Sequence, residues 1–160
     1  MTTPPGPSVR HLELRIPPLV VWLVFAGSMA LLARFAPTAI RIPAAAYVAV
    51  LLAAVGAAIA VAGVRAFRRQ RTTVNPLAPE RASALVDSGV CRHTRNPMYL
   101  GMALALAGWG VFLGDLAALA GVPLFVAYID RFQIVPEERA LAKAFGPAFA
   151  VYVQTVSRWV

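Results

Sequence analysis

The chain has 160 residues, 59% of them hydrophobic, and a formal net charge of +8 at pH 7. A composition this apolar excludes an ordinary soluble domain of this length and indicates a single membrane unit. The charge could suggest nucleic-acid binding, but the arginines cluster at the ends of apolar runs, where membrane proteins keep cytoplasmic positive charge. We therefore expect a lipid bilayer, and no nucleic acid, as the partner. The single cysteine, Cys91, excludes an intrachain disulfide and a multi-cysteine metal site.

The N-terminal half predicts a tail and two transmembrane helices. Residues 1–15 mix prolines with arginines and predict a flexible cytoplasmic tail. The apolar run 17–36 is long enough to cross a hydrocarbon core, and residues 42–64 form a second, uncharged run. A block of arginines follows the second run and marks the cytoplasmic side of the membrane: Arg65, Arg68, Arg69 and Arg71.

A polar loop and a third helix come next. Residues 65–96 are too rich in proline and charge to span a membrane, so they predict a cytoplasmic loop at its surface. Residues 97–113 predict the third span, with Pro97 at the first helical position, where its missing N–H does no harm. Three small residues at helical spacing share one face of this span and predict the close approach of another helix: Gly101, Ala105 and Gly108.

The C-terminal part predicts a fourth span and a surface helix. Gly114 and Asp115 form a turn without positive charge, as expected of an external loop, and residues 116–135 predict the fourth span. In residues 136–155 the apolar side chains recur at spacings of three and four, which is typical of an amphipathic helix. Pro147 predicts a kink there, or two short helices.

These segments together predict an all-α integral membrane protein with about four transmembrane helices and a cytoplasmic amphipathic C-terminal helix. One domain covers residues 16–160. An even number of spans places both termini on the same side of the membrane, and the arginine blocks indicate that this side is the cytoplasm. The sequence thus predicts a multi-pass protein of the cell (inner) membrane with both termini in the cytoplasm.

Two polar islands interrupt the apolar pattern, at residues 91–101 and 136–139. The first offers cationic and amide donors, which suit a carboxylate or a phosphate. The second offers the carboxylates of Glu137 and Glu138, which suit an ammonium, a sulfonium or ribose hydroxyls. A zwitterionic ligand would need both kinds. The alternative is that the two islands pair with each other or with lipid headgroups.

Other polar residues at the membrane border have two interpretations. Tyr99 could stack on or hydrogen-bond a ligand, or belong to the aromatic belt of the membrane interface. His93 lacks the partners of a metal site or a nucleophilic triad, so a structural role is favoured. Asp130 and Arg131 are predicted to form a pair and to line the entrance of a site. No glycine-rich nucleotide motif, serine nucleophile signature or metal site is predicted from the sequence.

Two motifs carry a family resemblance. Residues 94–101 read Thr-Arg-Asn-Pro-Met-Tyr-Leu-Gly, and residues 136–152 follow the pattern Pro-Glu-Glu-x-x-Leu-x-x-x-Phe-Gly-x-x-Phe-x-x-Tyr. Both resemble the signatures of the isoprenylcysteine carboxyl methyltransferase family, in its bacterial branch, which is also similar to phospholipid N-methyltransferases. The resemblance implies S-adenosylmethionine bound between the two signatures, with an acceptor that enters laterally from the bilayer.

The resemblance also implies roles for particular residues. The cofactor contacts that it implies are Arg95, Asn96, Tyr99, Glu137 and Glu138. Asn96 stands where the family commonly has histidine, so a ring contact would be lost there. In catalysis, an amine acceptor must first lose a proton, and Glu138 or water could serve as the base. Arg131 aligns with a basic residue that precedes the glutamates and would orient an acceptor carboxylate.

The expected function is S-adenosylmethionine-dependent methyl transfer to a lipophilic acceptor at the cytoplasmic membrane face. The acceptor is an isoprenylcysteine-type carboxylate or a lipid amine. Displacement at a sulfonium mainly requires alignment of donor and acceptor in a site with little water, so neither metal nor covalent nucleophile is needed. Two alternatives remain open: an NADPH-dependent membrane reductase, and a non-catalytic membrane protein that keeps the fold as a sensor or assembly factor.

Overall fold

The computed structural model describes residues 13–73 and 75–160. Most of the predicted tail, residues 1–12, lies outside the described residues. Within the described ranges the regular structure is helical, and the one bridge between extended residues joins Ala39 to Asp115. The prediction of an all-α protein is therefore confirmed for this part of the chain.

Seven α-helices follow one another in the described part of the chain. Their bounds are Pro18–Phe35 (α1), Ala45–Arg69 (α2), Pro97–Leu113 (α3), Leu116–Leu119 (α4), Gly121–Ile129 (α5), Val135–Phe145 (α6) and Pro147–Thr155 (α7). A π-helical segment, Asp130–Ile134, joins α5 to α6. Two short 3₁₀ turns, Pro79–Arg81 and Gly89–Arg92, lie in the loop between α2 and α3.

Three helical stretches of the described chain are long and apolar enough to cross a membrane: α1, α2 and the continuous stretch Leu116–Phe145. The apolar helix α3 has 17 residues and falls below that length. The first, second and fourth predicted spans are thus supported, and the third, residues 97–113, stays a prediction.

Helices α2 and α3 pack with their backbones in close contact. A Cβ atom added to Gly56 or to Gly101 would collide with the backbone carbonyl of the other glycine. A Cβ added to Gly108 would lie 2.7 Å from the carbonyl oxygen of Ala49. Only glycine permits such an approach, so the predicted small-residue face of α3 is confirmed as its contact with α2.

The core lies where α1, α3 and α5 meet. Met29, Leu106, Phe125 and Ile129 are buried together there. Two tryptophans tie α1 to α3 through their indole N–H groups: Trp22 donates to Met102 O at 2.9 Å, and Trp109 donates to Ala26 O at 3.0 Å.

Asp115, in the turn between α3 and α4, connects this turn to the loop before α2 by hydrogen bonds. This side chain is 2% exposed, and its Oδ1 accepts the Ala118 N–H at 2.8 Å as the N-terminal cap of α4. Its Oδ2 accepts from the backbone N–H and, at 3.1 Å, from the hydroxyl of Thr38. The hydrogen bond from Ala118 and those from Thr38 hold the pKa of Asp115 below its ordinary value.

The predicted fourth span and surface helix are continuous in the structure, as parts of the helical stretch Leu116–Phe145. Pro136 does not end the helix, because the chain runs through it as the second residue of α6. The π turn before it accommodates a residue that has no N–H to donate. The predicted interruption at Pro147 is confirmed: Gly146, at φ +49°, separates α6 from α7.

Candidate active site

Both polar islands border one cavity. It encloses about 720 Å³, counting its open mouth, between the end of α2, the loop that follows, the start of α3, and α6 with α7. All five residues that the family resemblance assigns to cofactor contact line it: Arg95, Asn96, Tyr99, Glu137 and Glu138. The rest of the wall is mainly apolar and includes Phe67, Met98 and Leu141.

The way in which α3 begins directs side chains of the first island toward the cavity. Asn96 is the residue before the helix, and Pro97 takes the first helical position, as predicted. The backbone N–H of Asn96 donates to the Thr94 hydroxyl at 3.2 Å, which fixes the turn into the helix. Tyr99 follows in the first helical turn and is 5% exposed. Arg95, Asn96 and Tyr99 therefore face one space because of how α3 begins.

Arg95 joins the C-terminal segment to α6. Its Nη1 donates to the carbonyl oxygens of Val153 and Val156, at 3.0 and 2.7 Å, and its Nη2 donates to Glu138 Oε1 at 2.9 Å. Its Nε is buried and has no hydrogen-bond partner within the described ranges. One donor of this guanidinium thus remains unpaired within the described ranges.

Glu138 is held by two guanidinium groups. Besides Arg95, it accepts from Arg158 through both carboxylate oxygens, Nε at 3.1 Å from Oε1 and Nη2 at 2.5 Å from Oε2. Arg158 Nη1 also donates to both carboxylate oxygens of Asp130 at 3.1 Å. These hydrogen bonds, above all those to Glu138, raise the pKa of Arg158 above its ordinary value. The four side chains form a network of two positive and two negative charges.

Glu137 has a different environment from its neighbour. Its Oε1 accepts a short hydrogen bond from the Tyr99 hydroxyl. No cation of residues 13–73 or 75–160 pairs with it. The second carboxylate oxygen can therefore accept from a ligand in the cavity.

Arg131 lies away from the cavity. Its Nη1 donates to Glu13 Oε1 at 2.9 Å, and Glu13 also bridges to Arg139. The predicted pair of Asp130 with Arg131 does not form, because Asp130 pairs with Arg158 instead. Adjacent residues of a helix point in different directions and so cannot face each other.

Two residues of the site were missed in the sequence. Arg158 has no role among the sequence predictions, although an arginine after the apolar segment 147–156 is a candidate partner for an unpaired carboxylate. Tyr152 is the last residue of the second motif but has no predicted role; it lines the cavity and donates from its hydroxyl to Cys91 O at 2.7 Å.

Cys91 and His93 contribute no group to the cavity. Cys91 is 1% exposed, and burial raises the pKa of its thiol to about 11, so at neutral pH it stays protonated and unreactive. His93 is exposed. Within the described ranges, no group of three or more histidine, cysteine or acidic side chains could hold a metal ion.

Comparison with known proteins gives one family and one relative. A family model described as phospholipid methyltransferase matches residues 44–148, which is more than half of the chain and includes the first island and the paired glutamates. An uncharacterized protein of Haemophilus influenzae is 41% identical over 63 residues, which cover 39% of this chain and 100% of that protein. No solved structure matches the chain.

Proposed function

Because this chain belongs to the phospholipid methyltransferase family, we propose that it transfers a methyl group from S-adenosylmethionine to an amine-bearing lipid. Membership supports a membrane enzyme that methylates a lipid. The cofactor, the amine acceptor and a site at the cytoplasmic face of the inner membrane, with both termini in the cytoplasm, are parts of the proposal.

The observation that carries the proposal is that hydrogen-bond donors and acceptors from both islands line the same cavity. S-adenosylmethionine presents a carboxylate, an ammonium, a sulfonium and ribose hydroxyls, so it needs both kinds of partner. Arg95 Nε is a buried donor without a partner in the described chain, and Glu137 has a carboxylate oxygen to offer. The residues present therefore fit the cofactor.

The two glutamates have different roles in this proposal. Glu138 is neutralised by Arg95 and Arg158, so it fixes the cavity wall and presents acceptors to the cofactor. Glu137 pairs only with the Tyr99 hydroxyl in the described chain, and we assign to it, rather than to Glu138, the removal of a proton from the acceptor.

The charge of the cavity favours an amine over a carboxylate as acceptor. A carboxylate would need a free cation beside it, but Arg131 is bound to Glu13 outside the cavity, and Arg95 is already bound to Glu138 and to two carbonyls. An ammonium must lose a proton before its nitrogen can attack a methyl group, and Glu137 can accept that proton. The apolar walls suit the hydrocarbon part of a lipid.

When bound, S-adenosylmethionine supplies a methyl group on a positively charged sulfur that becomes neutral as the methyl leaves. The chain's own part is to align the acceptor with the methyl group and to exclude water. The apolar part of the wall that excludes water includes Phe67, Met98 and Leu141. Tyr99 orients the Glu137 carboxylate through its hydrogen bond.

The test is calorimetric titration of S-adenosylhomocysteine into the detergent-purified protein, with NADPH as a parallel ligand. We expect binding of S-adenosylhomocysteine alone, weakened at least tenfold by Glu137→Gln and unchanged by Glu80→Gln. Glu80 is exposed and does not line the cavity, so it controls for the same chemical change. Binding of NADPH alone would favour the reductase, and binding of neither ligand by folded protein would favour a non-catalytic role.

A further inference from the structure

A second groove lies beside the last turns of α2, apart from the cavity. It holds about 890 Å³, counting its open mouth, between the last turns of α2 and the turn at residues 88–90. Its walls are basic and polar at one end, with Arg65, Arg69 and Ser88, and apolar at the other, with Ala58, Val61 and Ala62. The groove and the cavity share no lining residue.

The basic end carries positive charge without a matching carboxylate. Arg65 and Arg69 are four residues apart, so they lie on one face of α2. Both are exposed, and neither forms an ion pair within residues 13–73 and 75–160. The acidic residue next to the facing turn is Asp87, which has no carboxylate oxygen within 4 Å of either arginine.

The position of the groove along α2 matches the depth of lipid phosphates. The 25 residues of α2 span about 37 Å at about 1.5 Å per residue, whereas a hydrocarbon core is about 30 Å thick. The last turns, which carry Arg65 and Arg69, therefore extend into the headgroup region. Ala58, Val61 and Ala62 lie one to two turns deeper, among the acyl chains.

We infer that this groove binds an anionic glycerophospholipid. The phosphate lies between Arg65 and Arg69, within reach of the Ser88 hydroxyl, and an acyl chain runs along Val61 and Ala58. A zwitterionic lipid would bring an ammonium group to the same two guanidinium groups, so the groove discriminates against it. A soluble anion would leave the apolar end of the groove empty.

The experiment compares lipid binding by native mass spectrometry of the detergent-purified protein. Phosphatidylglycerol and phosphatidylcholine with the same acyl chains are titrated separately, and inorganic phosphate is the soluble probe. We expect phosphatidylglycerol to bind about tenfold more tightly than phosphatidylcholine. The double variant Arg65→Gln/Arg69→Gln should lose that preference.

Two further variants distinguish a specific lipid-binding site from general electrostatic attraction of anionic lipids. Arg68→Gln/Arg71→Gln removes the same charge from the same end of α2 but changes no lining residue, so it should keep the preference. Ala62→Trp keeps every charge and fills the apolar end, so it should weaken phosphatidylglycerol binding about tenfold.

Three outcomes would overturn the inference. Equal loss in the two double variants would mean that positive charge alone attracts the lipid. Undiminished binding by Ala62→Trp would mean that no acyl chain lies in the groove. Inorganic phosphate that binds as tightly as phosphatidylglycerol would identify a site for a soluble anion.

Discussion

The carbonyl oxygen of Phe132 accepts a hydrogen bond from the backbone N–H of Leu14 at 3.2 Å. In a regular α-helix that carbonyl would accept from residue 136, which here is Pro136 and has no N–H. The segment before α1 therefore supplies the donor that the proline lacks. Gln133 Nε2 reinforces the contact by donating to Ile16 O at 2.8 Å.

The π segment sets the direction of the paired glutamates. One extra residue in a helical turn rotates everything that follows by about 100° around the axis. Glu137 and Glu138 come three and four residues after the segment ends. Their approach to Tyr99 and Arg95 therefore depends on the wider turn.

We expect Pro136→Ala to weaken S-adenosylhomocysteine binding about tenfold. Alanine restores the N–H that a regular helix needs, so the segment can revert to α-helix and turn both carboxylates away from the cavity. Titration calorimetry measures the loss, and circular dichroism should show unchanged helix content. Pro123→Ala is the control, since Pro123 lies in the first turn of α5, where a missing N–H costs nothing. Wild-type affinity in Pro136→Ala would contradict the role given to the π segment.

Arg158→Lys should weaken S-adenosylhomocysteine binding about tenfold. A lysine cannot donate to Glu138 and Asp130 at once with the geometry of a guanidinium, so one carboxylate would lose its partner. Arg92→Lys makes the same change in an exposed loop residue and should bind like the wild type. If both variants bind equally well, the four-charge network does not shape the cavity.

Tyr99→Phe should lower the rate of methyl transfer about tenfold while the protein stays folded. Removing the hydroxyl leaves the Glu137 carboxylate without its partner, so it no longer holds one orientation. The assay follows labelled methyl from S-adenosylmethionine into a lipid extract. Tyr47→Phe, at a side chain 82% exposed, serves as the matched control. An unchanged rate would remove Tyr99 from the mechanism.

The protein should lose stability in acid through Asp115. Hydrogen bonds from Ala118 and Thr38 hold the pKa of Asp115 below its ordinary value of 3.8. The carboxylate therefore stabilises the fold above that ordinary value, and this contribution disappears as pH falls through the lower, folded pKa. Thermal unfolding in detergent across the acid range should show a shallower decline for Asp115→Asn than for the wild type. The control Asp87→Asn, at an exposed loop residue, should follow the wild-type curve.

Hydropathy and small-residue spacing predicted much of the fold. The apolar runs locate α1, α2 and α3, and the spacing of Gly101 and Gly108 predicts the close approach of another helix, which the structure shows to be α2. Both features depend on neighbours along the helix. The π segment was not predictable in this way. Its stabilising hydrogen bond comes from Leu14, more than a hundred positions earlier in the chain. The periodic pattern of neighbouring residues contains no information about such a long-range hydrogen bond.

The sequence indicated some residues of the candidate site but not their ionic partners. The five residues that the two motifs proposed for cofactor contact all line one cavity, whereas their roles stay predictions and other lining residues, such as Phe67 and Ala82, lie outside the motifs. The choice of ionic partners was not predictable. Whether Asp130 meets Arg131 or Arg158 depends on how α6, α7 and the segment after them fold back, which only tertiary structure decides.

The last residues of α7 and the segment after it hold two residues of the cavity wall, Arg95 and Asn96, which has a consequence for biosynthesis. Arg95 is anchored by the carbonyls of Val153 and Val156, and the Asn96 side-chain amide by Arg158 O at 3.0 Å. A nascent chain that ends at residue 145 would contain every candidate span but would lack the carbonyl groups that hold Arg95 and Asn96. Membrane insertion would therefore precede completion of the cavity, and a ribosome stalled before residue 158 would leave an inserted protein in which Glu138 and Asp130 lack their Arg158 partner.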